Sequence, residues 1–177
     1  SQEICARVLR PNGNEVPKGE AGEVVGRSGA MMTGYHKQPA KTAEAEWYDS
    51  EGNRFIRTGD IGRFDADGFM VLFDRRKDMV ISGGFNIYPS DLEAVLRGHP
   101  AVADCAVVGV PSAEWGETPV AYVVRRDGAH DSEDDIRGWF NQQVGKTQRL
   151  SGLRLTDELP RSAIGKVLKR ELRDAWR

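Results

Sequence analysis

The sequence predicts an α+β fold, in which the end of a β-rich, barrel-like subdomain is followed by a small α/β domain with a short sheet flanked by helices. In the first third of the chain, short apolar runs are separated by turns rich in Gly, Pro, Asn and Asp, a pattern typical of antiparallel β-structure. From Met79 onward, strand-like runs alternate with segments of helical periodicity. With 177 residues, 39% of them hydrophobic and 29% charged, the chain is long enough for one ordinary core or two small ones.

Three short strands are predicted in the first region. They lie at 3–9, 22–27 and 54–64, and the turn sequences PNGNEVPKGEAG and YDSEGN separate them. DADG at 65–68 stands between IGRF and FMVLF, and its Asp-Gly pair supplies the positive-φ positions that a tight turn requires. We therefore expect a hairpin after the third strand.

The second region is expected to begin with a strand at 79–82 and a helix in PSDLEAVLRG. Ser90 and Glu93 have the spacing of a capping box that would start this helix. Continuous apolar runs predict buried strands, and Ser132 is expected to begin a further helix. The remaining predicted elements are strands at 102–110, 119–124 and 152–156, a helix at about 132–144 carrying Ile136, Trp139 and Phe140, and a helix near 166–176 with Val167, Leu168 and Leu172 packed inward.

Composition excludes several classes of protein. No run approaches the roughly 20 apolar residues of a membrane-spanning helix, and SQEICARVLR lacks the apolar centre of a signal peptide, so the expected compartment is the cytoplasm. Cys5 and Cys105 lie far apart in apolar runs, which favours buried thiols over a disulfide, and three scattered histidines do not supply a protein-built metal centre. The net charge of −2 argues against a nucleic-acid surface.

Four motifs follow one another along the chain: RTGDIGRFDADG at 57–68, FDRRKDMVISGGFNIYPSDLE at 73–93, HPAVADCAVVGVPSAEWGE at 99–117 and PRSAIGKVLKREL at 160–172. In this order and spacing they resemble the adenylate-forming superfamily, which comprises acyl-CoA and aryl-CoA synthetases, nonribosomal peptide adenylation domains and luciferases. The resemblance covers nearly the whole chain. It implies that the chain is part of a longer enzyme.

The resemblance also implies a domain organisation. Residues 74–78, DRRKD, form a dense charged cluster with no reason to be buried, so a boundary is expected there. By the resemblance, residues 1–73 end the large N-terminal AMP-binding domain, 74–78 are the hinge, and 79–177 form the mobile C-terminal domain. Lys77 matches the position about which the small domain rotates, although an exposed linker lysine would look the same in sequence.

Nucleotide-binding residues are implied at the end of the first region. Asp60 in RTGD follows a strand end and a glycine, where its carboxylate can accept hydrogen bonds from a diol. A turn-capping aspartate is the alternative interpretation. By resemblance, Asp60 binds the ribose hydroxyls, and Arg75 helps to bind ribose and phosphate.

The glycines of the second motif are interpreted as a site for the thiol. Gly83 and Gly84 form a loop between a strand and a helix that lets backbone approach a ligand closely. The resemblance implies that this loop lines the channel of the phosphopantetheine thiol, and that Asn86 contacts the nucleotide or the acyl group. Phe85 stands where the family often has Glu. Trp115-Gly116-Glu117 is interpreted as a structural loop, although its equivalent in acyl-CoA synthetases can lie near the CoA nucleotide.

Lys166 is the candidate catalytic residue. Preceded by Gly165 in a short loop, it matches the superfamily lysine that stabilises the charge developing as a carboxylate attacks the α-phosphate of ATP. Ser162-Ala163-Ile164-Gly165 stands where the family more often has Asn-Ala-Thr-Gly. Acetylation of Lys166 would remove the charge and stop adenylation.

The resemblance implies a two-step ligase that uses ATP with Mg²⁺, a carboxylic acid and coenzyme A, releases pyrophosphate and AMP, and needs its own large N-terminal domain as a partner. Mg²⁺ would be bound mainly by that domain. A domain that loads a carrier protein is the alternative, and so is a noncatalytic nucleotide-binding module, because the phosphate loop TSGTTGxPKG does not occur here. Dehydrogenase and P-loop fingerprints are also missing from the sequence. These residues do not indicate which carboxylic acid is the substrate.

Overall fold

The computed structural model describes residues 5–176 and divides the chain between Lys77 and Asp78 into two compact units. The first unit is an antiparallel sheet in the order β1-β2-β4-β3, with β5 paired to β4. A short helix, α1, precedes β3. The bounds are β1 Cys5–Leu9, β2 Gly22–Arg27, α1 Pro39–Ala45, β3 Glu46–Tyr48, β4 Arg54–Phe64 and β5 Met70–Arg75.

The core of the first unit is small. Leu9, Val25 and Phe55 are buried together, and Trp47 packs edge-on against Phe55 with ring centroids 5.3 Å apart. The indole Nε1 donates to the carbonyl oxygen of Gly13 at 2.9 Å, which satisfies the polar edge of the ring. Strands 22–27 and 54–64 were predicted correctly. For the strand predicted at 3–9, the described part is Cys5–Leu9, and residues 3 and 4 lie outside the described residues.

The hairpin predicted at DADG is confirmed. It connects β4 to β5, and the amide of Asp65 donates to the carbonyl oxygen of Phe69 at 2.9 Å. Gly68 has a φ of 89°, the conformation for which glycine is suited. The turn sets the register as far as Gly62, and an irregularity between Ile61 and Gly62 then shifts it by one residue, which places Asp60 opposite Arg75.

The second unit is a five-stranded sheet with helices on both of its faces. The strand order is β10-β9-β6-β7, and β8 pairs with β9. β10 runs parallel to β9, whereas the other pairs are antiparallel. The bounds are β6 Val80–Ser82, β7 Phe85–Ile87, α2 Pro89–Leu96, β8 Val102–Ser112, β9 Gly116–Arg125, α3 Glu133–Gln143, β10 Gly152–Leu155 and α4 Lys169–Ala175, with a 3₁₀ turn at Lys146–Gln148.

The strand β8 is buried on both sides. Cys105 and Val107 belong to the cluster that contains the apolar residues of α2 and α3, whereas Ala106 and Val108 belong to the cluster that contains Leu172 of α4. Because both faces are covered, β8 reads in sequence as a continuous apolar run rather than an alternating one. The α/β domain with a short sheet flanked by helices is therefore as predicted.

The two predicted helix starts have different outcomes. Ser132 caps α3 as expected: its hydroxyl accepts from the amide of Asp135, and Asp135 Oδ2 accepts from the amide of Ser132 at 2.9 Å. The hydroxyl of Ser132 also donates to this carboxylate, and these hydrogen bonds lower the pKa of Asp135 below its usual value.

The capping box predicted at Ser90 and Glu93 is wrong. Helix α2 begins at Pro89, with Tyr88 as its N-cap residue, because proline is well suited to the first helical position. Glu93 is buried instead, where it accepts from the amide of Val107 at 2.9 Å and lies 2.9 Å from the ammonium of Lys169. These two partners come from β8 and α4, which local spacing does not reveal; Arg97, four residues on, is a looser partner at 3.6 Å.

The helix predicted at 166–176 is shorter than expected, since α4 spans Lys169–Ala175. Leu172 is buried, and Val167 packs against the same cluster from outside the helix. None of the helices within residues 5–176 is long and apolar enough to cross a membrane. The same residues contain no group of three or more His, Cys, Asp or Glu side chains placed to hold a metal ion.

The two thiols are expected to react very differently. Cys105 is 2% exposed, and burial raises the pKa of its thiol to about 12, so on the order of 10⁻⁴ of it is thiolate at pH 8. Cys5 is only partly buried. In the native chain, one thiol should therefore react quickly with 5,5′-dithiobis(2-nitrobenzoate), and the second only in urea. A Cys5→Ser variant that still reacted quickly without urea would contradict this.

Candidate active site

Asp60 and Arg75 form an ion pair in the first unit. They lie opposite each other on β4 and β5, and Arg75 Nε is 2.9 Å from Asp60 Oδ1. The side chain of Asp60 remains 30% exposed, so a ligand can reach the carboxylate. A carboxylate held beside a guanidinium can accept from the two hydroxyls of a diol while the arginine attracts a phosphate.

The backbone around this pair is fixed by its neighbours. Gly59 has a φ of 73°, and its carbonyl oxygen accepts from the amide of Arg76 at 2.8 Å. The hydroxyl of Thr58 donates to the carbonyl of Val24 at 2.8 Å and accepts from the amide of Asp60 at 3.1 Å. The RTGD motif therefore lies within β4, so the expectation that Asp60 follows a strand end is wrong, and these hydrogen bonds fix the backbone that carries Asp60.

Lys77 is the last residue of the first unit and is exposed. Arg76, just before it, is held to the buried Glu23 at 3.2 Å, a carboxylate that also pairs with Arg57 at 2.6 Å. The chain is thus anchored up to Arg76. Rotation about Lys77 stays a prediction.

Gly83 and Gly84 form the two-residue turn of a β-hairpin. They connect β6 to β7, so the expectation of a loop between a strand and a helix is wrong. Their φ angles are 57° and 82°, and a type I′ hairpin turn requires positive values at both positions. Asn86 follows in β7, opposite Ile81, and is exposed.

Gly83 is packed tightly against Trp115. Its amide donates to the carbonyl oxygen of Trp115 at 2.9 Å, and a Cβ at this position would lie 2.7 Å from a carbon of the indole ring. A side chain would be excluded by both its φ and the ring. The turn and the Trp115 loop therefore hold each other in place.

A groove of about 400 Å³, lined by both polar and apolar atoms, lies beside this turn. Its basic residues are Lys146 and Arg149, and the Lys146 ammonium stands 5.8 Å from the Trp115 ring centroid. The sequence did not predict a role for Lys146 or Arg149, because they lie in the irregular segment after α3. Their sequence signal is limited to two basic residues in GKTQR. Ser82, Ser112, Thr118 and Ser151 also contribute to the lining.

Lys166 lies on a small hairpin formed by residues 160–168. The amide of Ser162 donates to the carbonyl of Lys166, the amide of Gly165 to the carbonyl of Ser162, and the amide of Leu168 to the carbonyl of Pro160, each at 2.8 Å. Arg161 pairs with Val167 across the hairpin, and Gly165 has a φ of 79°. This matches a three-residue hairpin loop that ends in a left-handed glycine.

The Lys166 side chain is exposed, and its ammonium has no hydrogen-bond or ion-pair partner in the part of the chain that the structure describes. Lys166 and the Gly83-Gly84 turn belong to separate loops of the second unit. Within residues 5–176 no hydrogen bond or ion pair joins them. A fixed backbone and an unpaired flexible cation suit the binding of an anionic ligand that comes from elsewhere.

Comparison with known proteins gives a consistent set of relatives. Residues 91–166 match the family model of the AMP-binding enzyme C-terminal domain. The chain is 40% identical over 170 residues to feruloyl-CoA synthase of Amycolatopsis sp, covering 94% of this chain and 33% of that protein. It is 39% identical over 173 residues to a long-chain-fatty-acid–CoA ligase of Escherichia coli O6:H1, covering 97% of this chain and 30% of that protein.

A solved structure agrees with these relatives. ATP-bound MatB from Rhodopseudomonas palustris aligns with 98% of this chain and 34% of its own length, at a TM-score of 0.89 and 36% identity. The chain spans about a third of the length of the curated relatives that it matches. It belongs to the adenylate-forming superfamily, and it corresponds to the C-terminal portion of those enzymes.

Proposed function

We propose that the protein containing this chain is an ATP-dependent, AMP-forming acid–CoA ligase that acts on a fatty or aryl carboxylic acid. The observation that carries the proposal is the Lys166 hairpin, a fixed backbone that presents an unpaired ammonium. The feruloyl-CoA and long-chain fatty acid ligases among its relatives support it. Since the chain spans about a third of those proteins, the activity is attributed to the whole protein, in the cytoplasm, where ATP and CoA are available.

In the first step, a carboxylate oxygen attacks the α-phosphorus of ATP, the bond from that phosphorus to the bridging oxygen breaks, and pyrophosphate leaves. The Lys166 ammonium lies between two anions that repel each other and stabilises the charge that develops as they react. Asp60 accepts from the ribose hydroxyls, and Arg75 orients this carboxylate and attracts phosphate. ATP brings Mg²⁺ as part of the substrate, and no residue of this chain is assigned to the metal.

In the second step, the sulfur of a thiol attacks the acyl carbonyl, the bond to the AMP oxygen breaks, and AMP leaves while the thiol proton passes to solvent. We propose that the small domain turns about Lys77 between the steps. This rotation removes Lys166 from the site and brings in the Gly83-Gly84 hairpin turn, which lines the thiol channel. In the earlier pose, Asn86 contacts the nucleotide or the acyl group. One site thus serves two reactions in sequence.

Coenzyme A is the preferred thiol. The groove beside Gly83 carries Lys146 and Arg149 against one carboxylate, Glu114, and two cations next to an indole suit a nucleotide that bears phosphates. The position of this groove favours the assignment of the Trp115 loop to the CoA site. A carrier-protein thiol is the second candidate, because the chain is also 38% identical over 173 residues to a fatty acid–[acyl-carrier-protein] ligase of Streptomyces coeruleorubidus, covering 98% of this chain and 32% of that protein.

Carboxylate-dependent ATP–pyrophosphate exchange by the full-length parent tests the proposed function. Short, medium, long and aromatic acids are compared, followed by product analysis with CoA and with a phosphopantetheinyl carrier protein. Exchange with one class of acid and thioester formation with CoA are expected, whereas the 177-residue chain alone should give no exchange. The absence of exchange with every acid would refute the proposal, and transfer to the carrier protein alone would favour the second candidate.

Replacing Gly83 by alanine should separate the two steps. The new Cβ clashes with the Trp115 ring and is strained at a φ of 57°, so the turn must shift. We expect thioester formation from supplied acyl-adenylate to slow by about 10-fold or more, and pyrophosphate exchange to change by less than about 2-fold. Gly128→Ala is the matched control, since Gly128 has a φ of 77° and open space around it. An equal loss in both steps would contradict the assignment.

A further inference from the structure

Arg161 connects the Lys166 hairpin to the sheet. Nη1 of its guanidinium donates to the carbonyl oxygen of Gly165 at 2.6 Å, and Nη2 donates to Asp104 Oδ2. One planar group therefore spans from strand β8 to the turn of the hairpin. Neither Arg161 nor Asp104 was among the residues expected from the sequence to serve the site.

Asp104 is itself fixed in place. It lies in β8 beside an irregularity in the register between Val102 and Asp104, and its Oδ1 accepts from the amide of Cys105 at 2.9 Å. Cys105 is buried in the core of the second unit. The carboxylate that holds Arg161 is thus fixed to a strand whose next residue is part of the core.

The contact on the hairpin is close to the candidate catalytic residue. The carbonyl of Gly165 belongs to the peptide group whose nitrogen is that of Lys166, so the guanidinium binds the peptide that carries this residue. The amide of Lys166, in the same peptide group, donates to the hydroxyl of Ser162 at 3.2 Å. The Lys166 backbone is held from both sides, whereas the ammonium has no partner among residues 5–176.

We propose that Asp104 and Arg161 are positioning residues for Lys166 in the adenylation step. The inference rests on the role proposed above for Lys166. The pair is partly exposed, with side chains 37% and 43% accessible, so it contributes little to stability. Its effect lies in geometry, because a displacement of about 1 Å in a charge stabiliser can cost on the order of 10²-fold in rate.

The test uses the full-length parent with Arg161→Gln, Asp104→Asn and the double variant. Pyrophosphate exchange is expected to fall by about 10-fold in kcat with little change in the KM for ATP, because the ammonium is displaced rather than removed. Thioester formation from supplied acyl-adenylate should stay within about 2-fold. The double variant should be no worse than Arg161→Gln, since both changes break one linkage.

The matched control is Arg170→Gln. Arg170 lies on α4 in the same basic segment, is highly exposed, and pairs only loosely with Asp174 at 3.7 Å. Arg170→Gln should leave the rates of pyrophosphate exchange and of thioester formation unchanged. An equal loss with this control would attribute the effect to net charge and overturn the proposal, as would equal losses in the two steps with Arg161→Gln.

The outcome also distinguishes this inference from the proposed function. Exchange that is sensitive to Lys166→Ala but not to Arg161→Gln would overturn the positioning role alone. Exchange that is insensitive to Lys166→Ala would overturn the role of Lys166 and, with it, this inference. Loss of exchange in both variants, confined to adenylation, is the result that supports the proposal.

Discussion

Replacing Lys166 by alanine in the full-length parent is expected to lower carboxylate-dependent pyrophosphate exchange by about 10²-fold or more, in line with the loss of a preorganised charge stabiliser. The ammonium is exposed on a hydrogen-bonded hairpin, so its removal breaks no hydrogen bond or ion pair among the residues that the structure describes. Unfolding of the protein should therefore be unaffected. Exchange is measured with labelled pyrophosphate at saturating ATP.

Two further variants make this result specific. Lys166→Gln, which removes the charge as acetylation would, should lose as much exchange as Lys166→Ala. Lys41→Ala removes an exposed lysine of the first unit whose ammonium lies over the ring of Tyr35, and it should keep full activity. Thioester formation from supplied acyl-adenylate should survive both Lys166 changes. Full exchange in Lys166→Gln would refute the role of the charge.

Replacing Glu93 by alanine is expected to lower the free energy of unfolding of the second unit by about 3 kcal/mol. Glu93 is 8% exposed, and the ammonium of Lys169, whose side chain is 15% exposed, lies 2.9 Å from its carboxylate. The variant removes this carboxylate and also the acceptor for the amide of Val107. Removing one partner of a buried ion pair and the acceptor of a buried amide is costly in a poorly hydrated interior.

Urea unfolding of the 177-residue chain checks this value. A Trp47→Phe background removes the tryptophan of the first unit, so that fluorescence follows the three tryptophans of the second. Glu171→Ala is the control, because Glu171 is exposed on α4 and its loss should cost less than about 0.5 kcal/mol. A decrease below about 1 kcal/mol for Glu93→Ala would show that the buried pair is not important for the stability of this unit.

Much of the fold could be predicted because its signals are local. Ser132 and Asp135 are three residues apart and cap the helix that they begin, and the Asp-Gly pair at 67–68 defines its own turn. Every residue of the run at 102–110 except Asp104 is apolar, because helices cover both faces of β8. In these places, the residues that decide the structure are also neighbours in sequence.

The incorrect or missed features depend on contacts between distant residues. Glu93 has the spacing of a cap, but folding brings it to Val107 and Lys169, in addition to the looser pair with Arg97 at 3.6 Å. The last helix starts three residues after Lys166, because this residue first pairs back with Ser162. Spacing along the chain does not reveal either arrangement.

The residues of the candidate site come from motif resemblance, and their roles stay predictions. They are Asp60, Arg75, Lys77, Gly83, Gly84, Asn86 and Lys166. The resemblance gave Asp60 and Arg75 a common ligand, but the direct ion pair between them follows from the register of β4 with β5. Lys146 and Arg149 could not be found this way, because an irregular segment after α3 places them beside Trp115. Their importance comes from packing rather than from a sequence pattern.

The parallel strand β10 has a consequence for biosynthesis. β8 and β9 form a hairpin from adjacent segments, whereas β10 pairs with β9 only after α3 has crossed the sheet. The Lys166 hairpin is held through Arg161 to Asp104, 57 residues earlier in the chain. On a ribosome, where chains fold as they emerge, Arg161 can link the hairpin to Asp104 only after β8 has been synthesised. The backbone that carries Lys166 is therefore fixed late in the folding of the second unit.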